Sequence, residues 1–394
     1  RLQRGFKEAP FSWSTPLYAL LFLALGLSPY LYFFYLGHYP GEAGWVWGET
    51  DTFSGLLHHF LRADFGTMSL GLSTEHAASF GMQVIALTEF LVHAFLVLPF
   101  MLGLIGAVRF IRGAWAERML LLSVIASGPV FVALFNVRLI DLGARIVERF
   151  YLLPMMLFTL LVAAGFDWFY RLLMSRSVTG EAWVRRLGVV LVACVFLLQL
   201  ERATETVEEH HRPTISNYLV NTLESLPENS TLLVIEDYQV FGFLYLQEVL
   251  EMRRDVNVIS PLLLHYPWYQ GRVEGQLMHP ITGPEGDTVD TVRLVSELME
   301  MGSPVFLAHL LNGVIQEHYP TYPYGTTVAV LPAQVSPPTP WELEAENLRL
   351  FEGFLMESEP PTAPNTWAGA AQLNYARPWR TLAQAFSDLG DDER

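Results

Sequence analysis

The residues best suited to chemistry lie in a polar segment at positions 37–82, between two apolar stretches. Its centre reads Trp45-Val46-Trp47-Gly48-Glu49-Thr50-Asp51-Thr52. An indole ring can stack on a sugar, and the carboxylates of Glu49 and Asp51 can accept hydrogen bonds from sugar hydroxyls. The segment predicts a surface for a sugar or a lipid headgroup, with Trp45 and Trp47 as the stacking rings. An interfacial amphipathic helix with a tryptophan belt explains the same residues, and both interpretations can hold together.

Three arginines form a second candidate site, called here the arginine group: Arg138, Arg145 and Arg149, at spacings of seven and four. On a helix these spacings place the side chains on one face. A guanidinium recognises phosphate through two parallel hydrogen bonds, so the group predicts a site for phosphate or diphosphate. Asp141 and Glu148 are close enough in sequence to neutralise two arginines, and internal ion pairing stays an equal alternative.

Glu89 and His93 stand four residues apart inside an apolar stretch. Ionisable residues at membrane depth face a cavity or a partner, so this pair is a functional candidate. A hydrogen bond between them within a helical bundle is the simpler explanation. The adjacent His210-His211 has no supporting ligand spacing, so no metal site is predicted.

Apolar stretches in the first half must position these groups, because 52% of the 394 residues are hydrophobic and the mean hydropathy is +0.30. One soluble core needs less apolar surface, so the excess is expected to lie in lipid. A helix needs about twenty apolar residues to cross the roughly 30 Å hydrocarbon layer. A polytopic α-helical membrane domain is therefore predicted over 1–201, with about five spans at 16–36, 83–108, 118–137, 150–170 and 187–201.

Basic residues in the short loops predict the orientation, because cytoplasmic loops carry more lysine and arginine. Loops 1–14, 109–118 and 171–186 hold ten such residues, against four in loops 37–82 and 138–149. The N-terminus is therefore expected in the cytoplasm. An odd number of spans then places the second half outside it, in the periplasm or a lumen.

The second half is acidic, with 10 basic and 27 acidic residues in 202–394. So much negative charge repels phosphate backbones, which excludes nucleic acid as a partner. Short apolar strands at 231–236, 256–260 and 304–309 alternate with helical segments, the pattern of a parallel sheet covered on both faces. An extracytoplasmic α/β domain is predicted over 202–335, followed by a proline-linked helical tail over 336–394.

Several motifs resemble, in the same order, a family of membrane glycosyltransferases of the GT-C superfamily. The family was long a domain of unknown function, and its animal member is a transmembrane protein O-mannosyltransferase. The motifs are Trp47-Gly48-Glu49-Thr50-Asp51-Thr52, His59-Phe60-Leu61-Arg62, Gly66-Thr67-Met68-Ser69-Leu70, Glu148-Arg149-Phe150-Tyr151, Glu236-Asp237, Tyr245-Leu246-Gln247-Glu248, Arg254-Asp255-Val256-Asn257-Val258, Pro267-Trp268-Tyr269 and Tyr322-Pro323-Tyr324-Gly325. They extend over roughly residues 45–330, so the resemblance joins both halves of the chain.

The resemblance implies a multi-spanning enzyme that takes a sugar from a polyprenyl-phosphate carrier. Mannose is the sugar expected from the resemblance. The enzyme transfers this sugar to a Ser or Thr hydroxyl outside the cytoplasm. The lipid-phosphate sugar is the donor substrate, no further cofactor is expected, and the partners are membrane lipid and an acceptor protein. Family members carry their acidic catalytic motif in the first outer loop. Position 1 is an arginine that leads directly towards a span, so the sequence is expected to be the back part of such an enzyme.

Glycosyl transfer from a lipid phosphate needs a base for the acceptor hydroxyl and positive charge for the leaving phosphate. The arginine group suits the second role. Glu49 or Asp51 suits the first by position, although the family pattern places the base in the preceding segment and has Asp where Glu49 stands. The remaining candidates, assigned to sugar or acceptor binding, are Trp45, Trp47, His58 and Asp237.

A non-catalytic membrane subunit is the alternative hypothesis. Its acidic outer domain would dock a partner while its helices support a larger complex, and the altered acidic positions and the proline-linked tail fit this role. An acidic first outer loop upstream would favour the enzyme, and its absence would favour the scaffold. A transporter would need polar residues along several spans, and apart from Glu89 and His93 these spans offer few.

Overall fold

The structure is a computed structural model that describes residues 14–41, 46–65, 78–134, 139, 147–176, 181–282, 290–308, 311–361 and 366–390. The chain forms two compact units, each assembled from segments that are distant in sequence. The first unit comprises Arg1–Thr67, Leu226–Tyr322 and Val328–Pro338. The second comprises Met68–Ser225, Pro323–Thr327 and Thr339–Arg394.

The described residues are mostly helical. In chain order the helices are α1 (Ser14–Leu27), α2 (Tyr30–His38), α3 (Phe53–Phe60), α4 (Phe80–Phe95), α5 (Val97–Ile111), α6 (Trp115–Ile125), α7 (Leu152–Arg176), α8 (Glu181–His210), α9 (Thr214–Ser225), α10 (Asp237–Glu248), α11 (Pro267–Leu277), α12 (Thr291–Glu300), α13 (Asn312–Ile315), α14 (Pro340–Glu352) and α15 (Trp367–Asp388). The strands are β1 (Thr231–Leu233), β2 (Asn257–Ile259), β3 (Val305–Leu307), β4 (Thr321–Tyr324) and β5 (Thr327–Val330). Helices α1–α3 and α10–α13 belong to the first unit, and the other helices belong to the second.

The five strands form one sheet in the order β2-β1-β3-β5-β4. Strand β1 pairs in parallel with both β2 and β3, so the parallel α/β arrangement predicted from the apolar runs is confirmed. Strand β5 pairs antiparallel with β3, and the β4–β5 hairpin is an addition that the sequence did not predict. The chain leaves β1 on one side for β2 and returns to its other side for β3. This reversal makes the carboxyl ends of β1 and β3 a topological switch point, where open α/β sheets usually bind ligands.

The core of the first unit lies between the parallel strands and the helices that cover them. Strand residues Leu233, Ile259 and Leu307 are fully buried there, together with Val295 and Leu298 of α12. Burial on both faces explains why these strands are apolar along their whole length. The short strands therefore gain most of their stability from the helices packed over them.

An arginine–aspartate clamp fixes the turn that enters β2. Arg253 binds Asp255 through two hydrogen bonds of 2.9 and 2.8 Å and donates to the carbonyl of Leu226 at 2.9 Å. The backbone N–H of Asn229 donates to Asp255 at 3.3 Å. The hydrogen bonds from Arg253 lower the pKa of Asp255. The family-like motif around Asp255 thus has a structural role, since it joins the start of β2 to the segment that precedes β1.

Five membrane spans are not confirmed. The described residues contain one helix long and apolar enough to cross a membrane, Arg149–Ser175, or up to three if each of two bent helix pairs is counted as one span. The predicted span 83–108 is not continuous, because α4 and α5 meet at 117°. The break lies at Leu96, whose φ is +66°, and an averaged hydropathy carries no signal for it. The predicted span 16–36 is likewise divided, into α1 and α2 at 41°.

Helices α5 and α7 cross at very short distance in the second unit. A Cβ atom added to Gly106 would lie 1.9 Å from the carbonyl oxygen of Leu161, and one added to Gly165 would lie 1.8 Å from that of Leu102. Glycine at both positions therefore permits backbone contact, the usual device for packing helices in lipid. Near the end of this crossing, Arg109 donates to Asp167 at 2.9 Å.

In the segment predicted as a proline-linked helical tail, the structure describes two helices, α14 and α15. They pack with α9 through Asn221, a buried residue whose amide group donates to the hydroxyl of Tyr375 at 2.7 Å and to the carbonyl of Leu355 at 3.1 Å. The backbone N–H of Leu355 donates back to the side-chain oxygen of Asn221 at 2.8 Å. Burial raises the pKa of Tyr375 to about 12, so its hydroxyl stays protonated at neutral pH.

We expect Asp255→Asn to lower the free energy of unfolding at neutral pH by about 1 kcal/mol, a value that allows for partial solvent screening. Because the folded-state pKa of Asp255 lies below its unfolded-state value, this stabilisation is present above about pH 4 and is lost as the pH falls through the folded-state pKa. Thermal melts of the full chain in detergent from neutral pH to about pH 3 would measure the difference from wild type.

Asp290→Asn is the matched control for this prediction. Asp290 caps α12 by accepting from the backbone N–H of Arg293, and asparagine caps helices equally well. Its melts should follow wild type at every pH. A deficit of Asp255→Asn that persists unchanged in acid would contradict the clamp.

Candidate functional site

The stretch Glu49–Asp51, called here the acidic segment and predicted to bind a ligand, lies directly against helix α2. A Cβ atom added to Gly37 would lie 2.5 Å from the backbone nitrogen of Asp51 and 2.6 Å from the carbonyl carbon of Thr50. The hydroxyl of Thr50 is buried and donates to the carbonyl of Phe33 at 2.9 Å. Close backbone contact and a buried hydrogen bond therefore fix this segment from the α2 side.

The opposite side of the segment is fixed by the first turn of α3. Thr52 caps this helix by accepting from the backbone N–H of Gly55 at 3.0 Å. A Cβ atom at Gly55 would lie 1.7 Å from the carbonyl oxygen of Glu49, so only glycine fits there. The side chains of Glu49 and Asp51 are nevertheless exposed. The structure thus presents two carboxylates to solvent from a tightly held backbone, the preorganisation that a binding or catalytic site requires.

Trp47, two residues before Glu49, packs against other aromatic rings of the same unit. Its ring centroid lies 5.2 Å from that of Phe241 on α10 and 4.9 Å from that of Trp268 on α11. These contacts join the acidic segment to the α/β sheet through both helices. Stacking of Trp47 on a sugar stays a prediction, and the structure assigns the ring a packing role as well.

His58 lies near the end of α3 and pairs with an acid of the same unit. Its imidazole lies 2.7 Å from the carboxylate of Asp64. Burial and the nearby negative charge of Asp64 together raise the pKa of Tyr266. Tyr266 in turn stacks on Trp268 at 6.2 Å. The ring contact of Trp47 with Trp268 and the effect of the Asp64 charge on Tyr266 therefore bring together two motifs that are about 200 residues apart in sequence.

Asp237 is exposed at the first position of α10, directly after β1 and next to the switch point of the sheet. The preceding Glu236 accepts from the hydroxyl of Tyr238 at 3.1 Å. Successive residues on the outer face of α10 are apolar and half exposed: Phe241 at 51%, Tyr245 at 54% and Val249 at 62%. We call these three residues the α10 stripe. It extends from Asp237 at helical spacing and forms an open, partly aromatic surface.

A cavity lies beneath Trp47, and it is too small to hold a sugar ring. It has a volume of about 20 Å³ and is lined by Trp47, Gln247, Tyr269 and Arg272, among others. This volume holds about one water molecule and is far below that of a sugar ring.

The other predicted residues are distributed as follows. Arg149 lies in the second unit, exposed, with its guanidinium carbon 4.9 Å from the ring centroid of Phe150. Trp45, Arg138 and Arg145 lie outside the described residues. The predicted face of three arginines thus remains a prediction, with one described member.

Sequence reasoning missed Phe241, Tyr266 and Gly37 as parts of the site. Phe241 packs on Trp47, and Tyr266 is influenced by the charge of Asp64, only through the tertiary fold, so spacing along the chain could not reveal them. A capping glycine lies just beyond a helix end, whereas Gly37 lies one residue inside the end of α2, so the capping rules gave no signal for it. Here it marks a backbone contact.

The fold and the site define a membrane-associated protein that combines an apolar helical unit with an α/β unit bearing an acidic and aromatic surface. Comparisons with known proteins agree with this class. Residues 215–279 match the family model described as TMEM260-associated domain 2. The chain is also similar to Protein O-mannosyl-transferase tmem260 of Dictyostelium discoideum, with 22% identity over 270 residues, which covers 64% of this chain and 33% of that protein.

A second relative is Protein O-mannosyl-transferase TMEM260 of Mus musculus, with 23% identity over 371 residues, 85% of this chain and 50% of that protein. The resemblance predicted from the motifs is therefore confirmed. The chain spans half or less of the length of these curated relatives. No solved structure matches it.

We expect Gly37→Ala to displace the acidic segment, because the added methyl group would overlap the backbone of Thr50 and Asp51. Overpacking of this kind costs about 1–3 kcal/mol. Trypsin cleavage after the exposed Arg62, followed by mass spectrometry in membrane vesicles, should become about fivefold faster or more.

Gly26→Ala is the control, since Gly26 also lies in an apolar helix and an added Cβ there meets nothing within 4 Å. Its cleavage rate should equal that of wild type. Equal rates for Gly37→Ala and wild type would show that α2 does not hold the segment.

Proposed function

We propose that this chain is part of a membrane-embedded glycosyltransferase. It transfers a sugar from a polyprenyl-phosphate carrier to Ser or Thr hydroxyls of a protein, and mannose is the proposed sugar. The rigid presentation of Glu49 and Asp51 in solvent is the observation that supports this proposal most directly. Both similar proteins are named protein O-mannosyl-transferases, which supports the reaction class.

The reaction requires two kinds of group. The acceptor oxygen attacks the anomeric carbon of the sugar and loses its proton to a base, while the bond to the carrier phosphate breaks and its electron pair leaves with the phosphate. A carboxylate of Glu49 or Asp51 can take the proton because both project into solvent from a fixed backbone. The arginine group stabilises the negative charge that develops on the leaving phosphate.

The proposal also includes the arrangement across the membrane. The N-terminus lies in the cytoplasm, and the acidic surface lies on the opposite side, where the acceptor protein is present. The α10 stripe and Asp237 adjoin the switch point of the sheet and provide an open face for an extended acceptor segment.

If a carboxylate of the acidic segment is the base, Glu49→Gln or Asp51→Asn should lower the transfer rate about 100-fold or more. The assay is transfer of labelled mannose from a polyprenyl-phosphate donor to a Ser/Thr peptide, with the protein in its native membranes. Glu228→Gln, an exposed carboxylate of the same unit, is the control and should retain full activity. Full activity in both acidic-segment variants would place the base elsewhere.

For the arginine group, Arg149→Ala should weaken binding of a polyprenyl-phosphate analogue about tenfold, because one charge-assisted hydrogen bond is lost. Binding is measured on the purified protein in detergent, and the thermal midpoint should stay at the wild-type value. Arg112→Ala removes an exposed arginine that the orientation places on the cytoplasmic side, and it should bind as wild type does. Unchanged binding by Arg149→Ala would remove Arg149 from the carrier site.

The α10 stripe favours one alternative, a non-catalytic subunit that docks a protein partner. Three half-exposed apolar residues in line are typical of an interaction surface. Tyr245→Ser should then release the partner in a pull-down from native membranes, while Glu49→Gln should have no effect on it. The enzyme hypothesis predicts instead that Glu49→Gln or Asp51→Asn lowers the transfer rate about 100-fold or more.

A further inference from the structure

The second unit contains a groove beside the break between α4 and α5. It has a volume of about 400 Å³ and is lined by Thr88, Glu89, Val92, His93, Leu96, Val97 and Arg202. These residues come from the end of α4, the break itself, the start of α5 and the middle of α8. The groove therefore combines a carboxylate, an imidazole and a guanidinium with an apolar wall.

Helix α8 stabilises the break that forms this groove. Helix α4 ends at Phe95, so its last carbonyl groups have no partners within the helix. Arg202 donates to the carbonyl oxygen of His93 at 3.0 Å, and the side-chain amide of Gln199 donates to that of Ala94. The Arg202 guanidinium also brings a full positive charge to the edge of the groove. The groove is thus a built feature of the helix packing.

The buried face of α4 fixes which side chains enter the groove. Gln83, Leu87 and Leu91 are buried at successive spacings of four, so they lie on one face of the helix. Glu89 and His93 are exposed, as is Thr88. An exposed carboxylate on such an apolar helix needs a polar environment or a cationic partner. Arg202 lines the same groove, so a ligand that enters it meets a carboxylate and a guanidinium together.

We propose that the groove binds a bilayer glycerophospholipid whose headgroup carries both a phosphate and a primary ammonium group. Arg202 and His93 receive the phosphate, and Glu89 accepts hydrogen bonds from the ammonium group. The wall of Val92, Leu96 and Val97 contacts the adjoining acyl chain. A carboxylate and a guanidinium in one groove match the two opposite charges of such a headgroup. A lipid whose headgroup carries charge of one sign only can pair with just one of them.

Two common headgroups fit the groove less well. A quaternary ammonium cannot donate a hydrogen bond to Glu89, and its usual recognition is by aromatic rings, of which the described groove lining contains none. A glycerol headgroup leaves the lipid with a net negative charge and brings no cation to Glu89. The groove should therefore prefer phosphatidylethanolamine over phosphatidylcholine and phosphatidylglycerol.

The test is lipid binding by the full chain, delipidated in detergent and mixed with each of the three lipids at equal acyl composition. Native mass spectrometry measures the bound fraction. Wild type should bind phosphatidylethanolamine about tenfold more tightly than the other two, the effect expected of one charge-assisted hydrogen bond. Glu89→Gln should remove this preference, and His93→Leu should weaken binding of all three lipids, since it removes a phosphate donor.

Glu201→Gln is the matched control, because Glu201 is an exposed carboxylate next to Arg202 that does not line the groove. It should keep the wild-type preference. Equal binding of phosphatidylethanolamine by wild type and Glu89→Gln would overturn the proposal. Tighter binding of phosphatidylglycerol would overturn it as well, in favour of a site for anionic lipid. The result does not depend on glycosyl transfer, so it stands whether or not the proposed enzyme activity is found.

Discussion

Gly37 has no side chain, and helix α2 can therefore lie directly against the peptide that joins Thr50 to Asp51. On the other side, Gly55 leaves room for the carbonyl group of Glu49. Between them, the buried hydroxyl of Thr50 bonds to the α2 backbone. Two glycines and one hydroxyl thus determine where the carboxylates project, while the carboxylates themselves stay hydrated. The aromatic contacts of Trp47 then connect this fixed segment to the sheet.

Much of the α/β unit could be predicted from sequence because its information is local. Three short apolar runs separated by helical segments leave few arrangements besides parallel strands with helices over both faces, and β1, β2 and β3 follow that arrangement. The β4–β5 hairpin escaped prediction because Pro323 and Gly325 interrupt its pattern. The break at Leu96 escaped it for a different reason. Its neighbours are apolar on both sides, and the side chains that cap the end of α4 come from α8, about 100 residues later.

The candidate site likewise contains residues that the sequence predicted and contacts that it did not predict. Residue type identified Trp47, Glu49 and Asp51, because indoles and carboxylates stand together between two apolar stretches, and the family resemblance added Asp237. What these residues contact depends on tertiary structure, so Phe241 and Tyr266 were not predicted. Asp255 shows that a residue in a family-like motif can have a structural role instead of a role in the site. It belongs to a family-like motif, yet its contacts with Arg253 and Asn229 are those of a structural clamp.

Helix α8 is continuous over 30 residues, from Glu181 to His210. At about 1.5 Å per residue it is roughly 45 Å long, which exceeds the hydrocarbon thickness of a bilayer. The number of residues in such a helix also sets the direction in which the following element points, because each added residue rotates that element by about 100° around the helix axis. An insertion of one residue near Cys194 would point α9 in a new direction, whereas seven residues would nearly restore its angular phase. Length variation in α8 is therefore permitted mainly in steps of two helical turns.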